Sequence, residues 1–405
     1  MKHLDANNIL DDRQHGFRKR RSCETQLHIT THDLASILNR HSQADVAVLD
    51  FSKAFDKVSH SRLMLKLKHC NLHPDAVGWI GSFLAGRTQR VVVDGYTSDE
   101  CPVTSGVPQG SVLGPILFLI FINDIASSIQ SSIRLFADDC LLYRQIDSIQ
   151  DQQTLQQDLS TLVDWAKTWG MSFNVKKCNV LTITRRTKKK RSYTYKMSGE
   201  KVEGIRDTKY LGITLNSKLT WDTHISKISS EANRMLGLLR RNLKYSPKHI
   251  KEAAYKSYVR PKTEYCATIW DPHTKKDSTK IEMVQHRAAR FVSNTPHLRH
   301  ADHHASITNV ISALGWEPLA ERRRKNRLIF LYKISNGLVE VPQMYHPQLR
   351  TTQPPKGNQH LYQRPASEVE AYANSFLPKT IVDWNSLNRT TAAATSLEEF
   401  RRLLC

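Results

Sequence analysis

The apolar positions mark out a series of short, distinct elements. Ala44 to Leu49 is a mostly apolar, β-branched run that predicts a buried strand ending at Asp50. Leu63, Leu65 and Leu67 lie in a predicted helix over Ser61–His69. A second helix starts at Pro74, a favoured first-turn residue, and runs to about Ala85. Gln89 to Tyr96 predicts a hairpin, because Asp94-Gly95 is the strongest short turn signal. Pro115 opens an apolar helix reaching about Ile125. Ile133–Ala137 and Cys140–Tyr143 are strand-like runs separated by Asp138 and Asp139 alone. A long helix over Ile149–Trp169 stops at Gly170, and a strand follows at Asn179–Thr184. The order predicts an α+β fold, a β-α-β-β-α-β antiparallel sheet with helices on one face. Beyond about Ser217 the chain turns helical and basic, over Arg234–Lys244, Ile250–Tyr258, Lys280–Val292 and Glu321–Ile334. Gln348–Pro365, rich in Pro, Gln and Thr, reads as a linker before a short helical tail.

Composition narrows the class. The chain has 405 residues, enough for two or three domains, and 40% hydrophobic against 24% charged residues excludes a disordered or fibrous protein. Its 59 Lys+Arg against 38 Asp+Glu give a net charge of +21, which points to a polyanionic partner, nucleic acid first. Charge alone leaves ribosome-associated and membrane-surface proteins open. The longest apolar stretch, Val112–Ile122, is broken by Gly114-Pro115 and is too short to span a bilayer, and no signal peptide opens the chain. No membrane association is expected. The seven cysteines form no CxxC pair, which argues against a disulfide scaffold or zinc site and suits a reducing, intracellular compartment.

Chemistry concentrates in the carboxylates. Turns favour Asp, so Asp138 and Asp139 can be read as solvated turn residues. Yet two unit charges about 4 Å apart repel by roughly 4 kcal/mol at an effective dielectric near 20. A cation, or protonation of one group, would relieve this. Asp50 supplies a third carboxylate if the strands are neighbours. Hard oxygen ligands converging on one spot suit Mg²⁺, and two such ions with substrate phosphates make an in-line phosphoryl-transfer site.

Several segments then carry a family resemblance. Leu49-Asp-Phe-Ser-Lys-Ala-Phe-Asp-Lys-Val58 resembles the first palm motif of reverse transcriptases from non-LTR retrotransposons (LINE-type, jockey-like). Ser105-Gly-Val-Pro-Gln-Gly-Ser-Val-Leu-Gly-Pro115 is similar to their second motif, and Phe136-Ala-Asp-Asp139 to their metal-binding hairpin. Gly170–Cys178 resembles the next motif, and Tyr210–Leu215 the primer-gripping one. Gln14–Gln26 is similar to their fingers segment, and Ser375–Pro378 with Trp384–Leu387 to their C-terminal tail. Five palm motifs in the right order make the resemblance specific.

The resemblance implies a right-hand polymerase: partial fingers and palm over residues 1–215, a helical thumb over 216–295, and a mostly helical C-terminal region over 296–405. It implies RNA-directed DNA synthesis with an RNA template, a DNA primer, deoxynucleoside triphosphates and two Mg²⁺ ions, or Mn²⁺ in their place. Asp50 and Asp138 would be direct metal ligands and Asp139 a less direct one. Lys177 would protonate the departing pyrophosphate. Phe55 would bar a 2′-hydroxyl, a group that distinguishes RNA from DNA at one site. Gln109 and Gly110 would touch the incoming nucleotide, and Tyr210, Leu211 and Gly212 would grip the primer. Arg18, Lys19, Arg20 and Arg21 would contact phosphates, as would the thumb helices, giving salt-dependent binding. The other basic runs, Arg185-Arg186, Lys188–Arg191 and Arg322–Lys325, read as solvated faces or localisation-like signals. His297, His300, His303 and His304 read as structural or surface histidines.

The family's endonuclease and its upstream Arg-Pro-Ile motif have no counterpart here, so the expectation is an N-terminally truncated member. The rival is an inactive remnant that serves at most as a basic nucleic-acid-binding protein. A nuclease using the same acids is disfavoured, because no general-base His or further carboxylate accompanies the motifs. A nuclear location is expected if the protein is active.

Overall fold

A computed structural model describes residues 1–185, 190–295, 303–351 and 360–404, the side chains of 303–306 excepted. Two compact units divide the chain: Met1–Gln26 with His41–Leu211, and Leu27–Arg40 with Gly212–Cys405.

Unit 1 is built on five strands: β1 (Gln43–Leu49), β2 (Ser132–Phe136), β3 (Asp139–Ile146), β4 (Asn179–Ile183) and β5 (Glu203–Ile205). Their order is β5-β4-β1-β3-β2. β1 lies antiparallel between β3 and β4, β2 is antiparallel to β3, and β5 adds a short parallel edge to β4. The expected β-α-β-β-α-β sheet is present, with one edge strand that the sequence pattern did not signal. Its helices are α1 (His60–Lys68), α2 (Pro74–Leu84), α3 (Leu113–Ile122) and α4 (Ile149–Trp169).

Strand alternation puts Ala47, Leu49, Ile133, Leu135, Leu142 and Val180 on one face. They share a core with Leu117, Phe118 and Phe121 of α3 and Leu155, Leu159 and Leu162 of α4. The ends of α4 are fixed by local chemistry. Ser148 and Asp151 form a reciprocal capping box, and Gly170 ends the helix in the left-handed conformation at φ 73°. The Asp94-Gly95 turn has positive φ at both residues, 50° and 85°, and joins Val92–Val93 to Tyr96–Thr97.

One boundary differs from expectation. Pairing continues to Phe136↔Asp139, so the two-residue turn is Ala137-Asp138, and Asp139 belongs to β3. Ala137 takes the positive φ, 53°, that a tight hairpin demands.

Unit 2 is mainly helical, and its helices include α5 (Asp222–Asn242), α6 (Lys248–Ala254), α7 (Lys275–Ser293), α8 (Leu319–Ser335) and α9 (Phe376–Asn385). The helix expected over Ile250–Tyr258 instead passes into a π-turn at Tyr255–Val259. Pro261 has no N–H to continue the α-ladder there, a common cause of such a bulge. Ala232, Leu236, Val284 and Ala288 join α5 to α7. Phe330, Phe376, Trp384 and Phe400 form a second core, which absorbs the tail motifs. All four cations of Arg322–Lys325 are ion-paired, to Glu264, Asp271, Glu321 and Glu317 in turn, rather than forming a free solvated face. Among the described residues no helix is long and apolar enough to cross a membrane. Arg186, Lys188, Lys189, His297, His300, the side chains of His303 and His304, and residues 352–359 of the expected linker lie outside the described residues.

Candidate active site

The site lies in unit 1, where β1 ends and β3 begins. Leu49 pairs with Cys140, so Asp50, the next residue along, reaches the end of the sheet that carries Ala137-Asp138 and Asp139. The charge on Asp50 acts on both of the other carboxylates. Burial raises the pKa of Asp138, and the charge on Asp50 adds to the rise. Asp139 is pushed up to about 6, first by burial and then by the charges on Asp138 and Asp50. Such shifts mark carboxylates that are partly desolvated and set beside like charge.

The backbone around Asp50 is fixed by the segment after α4. Asp50 O accepts a hydrogen bond from Asn174 N (2.8 Å), and Ser52 N donates to Ser172 O (2.8 Å). The Phe51 and Phe173 rings stack at 4.2 Å. Cys178 Sγ accepts from Asp50 N at 3.4 Å. This stitching carries Lys177 to the site, with its Nζ 3.6 Å from Asp50 Oδ2.

The second motif is tied to the first. Gly106 N donates to Val58 O (2.8 Å) and Val107 N to Phe55 O (2.9 Å). Gly106 has φ 89°, and a Cβ there would lie 2.8 Å from Asp56 backbone atoms, so only glycine fits this approach. The Phe55 ring stacks on Phe118 at 4.2 Å and meets Phe17 edge-on at 6.4 Å. Gln109 is exposed and donates from Nε2 to Asp56 Oδ1 (2.9 Å). Gly110 has φ 84° and open space where a side chain would stand.

The remaining expected residues divide. Tyr210 is buried, and its hydroxyl accepts from Gln26 Nε2 at 3.2 Å. Leu211 has φ 42°. In unit 2, a Cβ on Gly212 would lie 2.8 Å from the Tyr265 ring. Arg18 and Arg21 turn inward, a correction to the expectation of four phosphate contacts. The Arg18 guanidinium bonds Leu10 O and Asp11 O, and that of Arg21 bonds Asp12 and Gln14 O. Lys19 and Arg20 remain exposed.

Unit 2 holds a basic cavity of about 790 Å³ that the sequence reading named only in part. Arg240 and Arg241 line it from the end of α5, Lys244 from just beyond that helix, Arg287 and Arg290 from α7, and Lys251 from α6. Lys251 is buried, with Nζ bonded to Asn294 Oδ1 at 2.6 Å. The spacing of Arg287, Arg290 and Asn294 by three and four residues was the available signal.

Among the described residues no three His, Cys, Asp or Glu side chains form a ready-made metal cage. Mg²⁺ does not need one, since it is usually held by one or two carboxylates together with phosphates and water. The crowded Asp50, Asp138 and Asp139 are hard oxygen donors with unrelieved charge, which fits a divalent cation.

The reverse transcriptase (RNA-dependent DNA polymerase) family model matches residues 1–215. The RNA-directed DNA polymerase from mobile element jockey of Drosophila melanogaster is 32% identical over 72% of this chain and 33% of that protein. The probable RNA-directed DNA polymerase from transposon BS, also of Drosophila melanogaster, is 30% identical over 71% and 33%. The chain thus spans about a third of the length of these relatives. Apo telomerase from Candida tropicalis is 9% identical, with a TM-score of 0.42 over 76% of this chain and 50% of that one. With its palm motifs gathered at one end of the sheet, the chain belongs to the reverse transcriptase family, in the non-LTR retrotransposon branch.

Proposed function

We propose that the protein is an RNA-directed DNA polymerase that extends a DNA primer on an RNA template. The observation that carries this reading is the convergence of Asp50, Asp138 and Asp139 at one end of the sheet, where the charge on Asp50 acts on both turn carboxylates. These carboxylates would hold divalent cations, Mg²⁺ or Mn²⁺, which supply activation of the primer 3′-hydroxyl and neutralise phosphate charge. The oxygen of that hydroxyl loses its proton to solvent and forms a bond to the α-phosphorus of a deoxynucleoside triphosphate, the bond from that phosphorus to the oxygen bridging it to the β-phosphorus breaks, and pyrophosphate leaves. The Lys177 ammonium, beside Asp50, is the proton donor to that leaving group. Phe55, braced by Phe118, bars a 2′-hydroxyl, while Gln109 and Gly110 meet the nucleotide. Tyr210, Leu211 and Gly212 hold the primer end. Lys19, Arg20 and the basic cavity bind phosphates.

Primer extension on an RNA template with Mg²⁺ tests the reading. The expected outcome is product that depends on Asp138 and vanishes in Asp138→Ala. Salt-dependent RNA binding without extension above that control would favour the non-catalytic remnant, a reading that the intact carboxylate set does not support.

A further inference from the structure

We propose that Gln14 is a positioning residue that holds the aspartate-bearing turn in shape. The inference rests on the reading of Asp138 and Asp139 as catalytic, and on contacts that the fingers resemblance of this segment does not account for. Gln14 is 2% exposed, and its amide closes on one residue from both sides. Oε1 accepts from Ala137 N at 2.8 Å, and Nε2 donates to Ala137 O at 3.2 Å. The same Oε1 accepts from Gly16 N at 2.7 Å.

Ala137 needs such a partner. It is the first residue of a two-residue turn and takes φ 53°, a conformation that strains a residue with a Cβ. A tight turn also leaves backbone groups without ladder partners, and here the Gln14 amide supplies both a donor and an acceptor. The next two residues carry carboxylates that repel each other, which favours splaying the turn. A side-chain clamp on the preceding peptide opposes that splay without touching the carboxylates.

The clamp is itself anchored. Arg13–His15 runs beside β2: His15 N donates to Leu135 O (2.9 Å) and Leu135 N to Arg13 O (3.0 Å). The Arg21 guanidinium holds Gln14 O at 3.1 Å. Gly16 packs so closely that a Cβ would lie 2.3 Å from Ala137 N. The segment therefore presses on the turn through backbone as well as through the Gln14 amide.

The test compares wild type, Gln14→Met and Gln14→Met/Ala137→Gly in the full chain. Methionine keeps the volume of glutamine and removes both hydrogen bonds to Ala137. Hydrogen exchange of the peptide spanning residues 135–139 is read beside the Mg²⁺ dependence of primer extension. Gln14→Met is expected to raise exchange in that peptide at least about 10-fold, the loss of protection that broken backbone pairing gives. It should also raise the half-saturating Mg²⁺ concentration several-fold, with template–primer affinity unchanged. Ala137→Gly, free to adopt positive φ, should restore part of the Mg²⁺ dependence. Wild-type exchange and Mg²⁺ dependence in Gln14→Met would overturn the proposal, as would a fall in thermal stability alone. If wild type shows no Asp138-dependent extension, the polymerase reading fails, while the exchange measurement still judges the clamp.

Discussion

Replacing Asp139 by asparagine should make the protein more stable at neutral pH and less able to use metal. The carboxyl titrates near 6 in the folded protein against 3.8 in its ordinary state. Between those values the folded chain keeps a proton that the unfolded chain has released, so folding stability falls as pH rises through that window. A shift of about 2 units corresponds to about 3 kcal/mol before screening. The side chain is open to solvent on one side, and water reduces this to about 1 kcal/mol. Asp139→Asn should therefore gain about 1 kcal/mol over wild type near pH 7.5, but only about a third of that near pH 4.5. Urea unfolding of both proteins across this range measures the gap. Saturating Mg²⁺ should close or reverse it, because a cation bound only by the folded wild type stabilises that state. An advantage independent of pH, or a variant less stable at neutral pH, would refute the claim that burial and neighbouring charge hold this carboxyl's pKa up.

Other outcomes follow from the same geometry. Phe55→Ala should raise ribonucleotide incorporation at least about 10-fold and cost about 2 kcal/mol of stability through lost stacking on Phe118; unchanged sugar discrimination in competition assays would sink the gate. Gly106→Ala should destabilise unit 1 by more than about 2 kcal/mol, because its Cβ meets the Asp56 backbone at positive φ; an unaltered thermal midpoint would count against the observed approach of the two motifs. Arg240→Gln with Arg287→Gln should flatten the salt dependence of RNA binding by about 0.7 log units per log salt for each single-strand phosphate contact removed. Equal slopes for the two proteins would take the cavity out of the nucleic-acid path.

Local chemistry explains what the sequence made legible. α4 could be bounded because a Ser-x-x-Asp box and a helix-ending glycine act within their own turns. β1 could be placed from a single apolar run. The end of β2 could not, because the turn depends on Gln14, distant in the chain, which satisfies Ala137 and lets Asp139 join β3. The inward turn of Arg18 and Arg21 is hidden in the sequence for a related reason. Four consecutive cations look alike in sequence, and only folding shows that two of the guanidiniums meet backbone carbonyls of residues 10–14. The cavity in unit 2 needed the packing of α5 against α7 to bring its arginines together. Tertiary partners, rather than propensities, decided each of these cases.

The way the site is held also bears on its chemistry. Two of its carboxylates have raised pKa values, and Lys177 is the nearby cation paired with Asp50. That pair is exposed, so it offsets little of the repulsion. What keeps the acids together is backbone pairing: β1 against β3 through Leu49↔Cys140, and Asp50 O and Ser52 N against Asn174 and Ser172. Behind them lies the core of α3 and α4. Such an arrangement stabilises the scaffold while leaving the carboxylate oxygens short of partners, the condition in which a divalent cation gains most on arrival. Substitutions in the scaffold and at Asp138 or Asp139 should then act in opposite senses on folding, the first lowering stability and the second raising it, while both should lower primer extension.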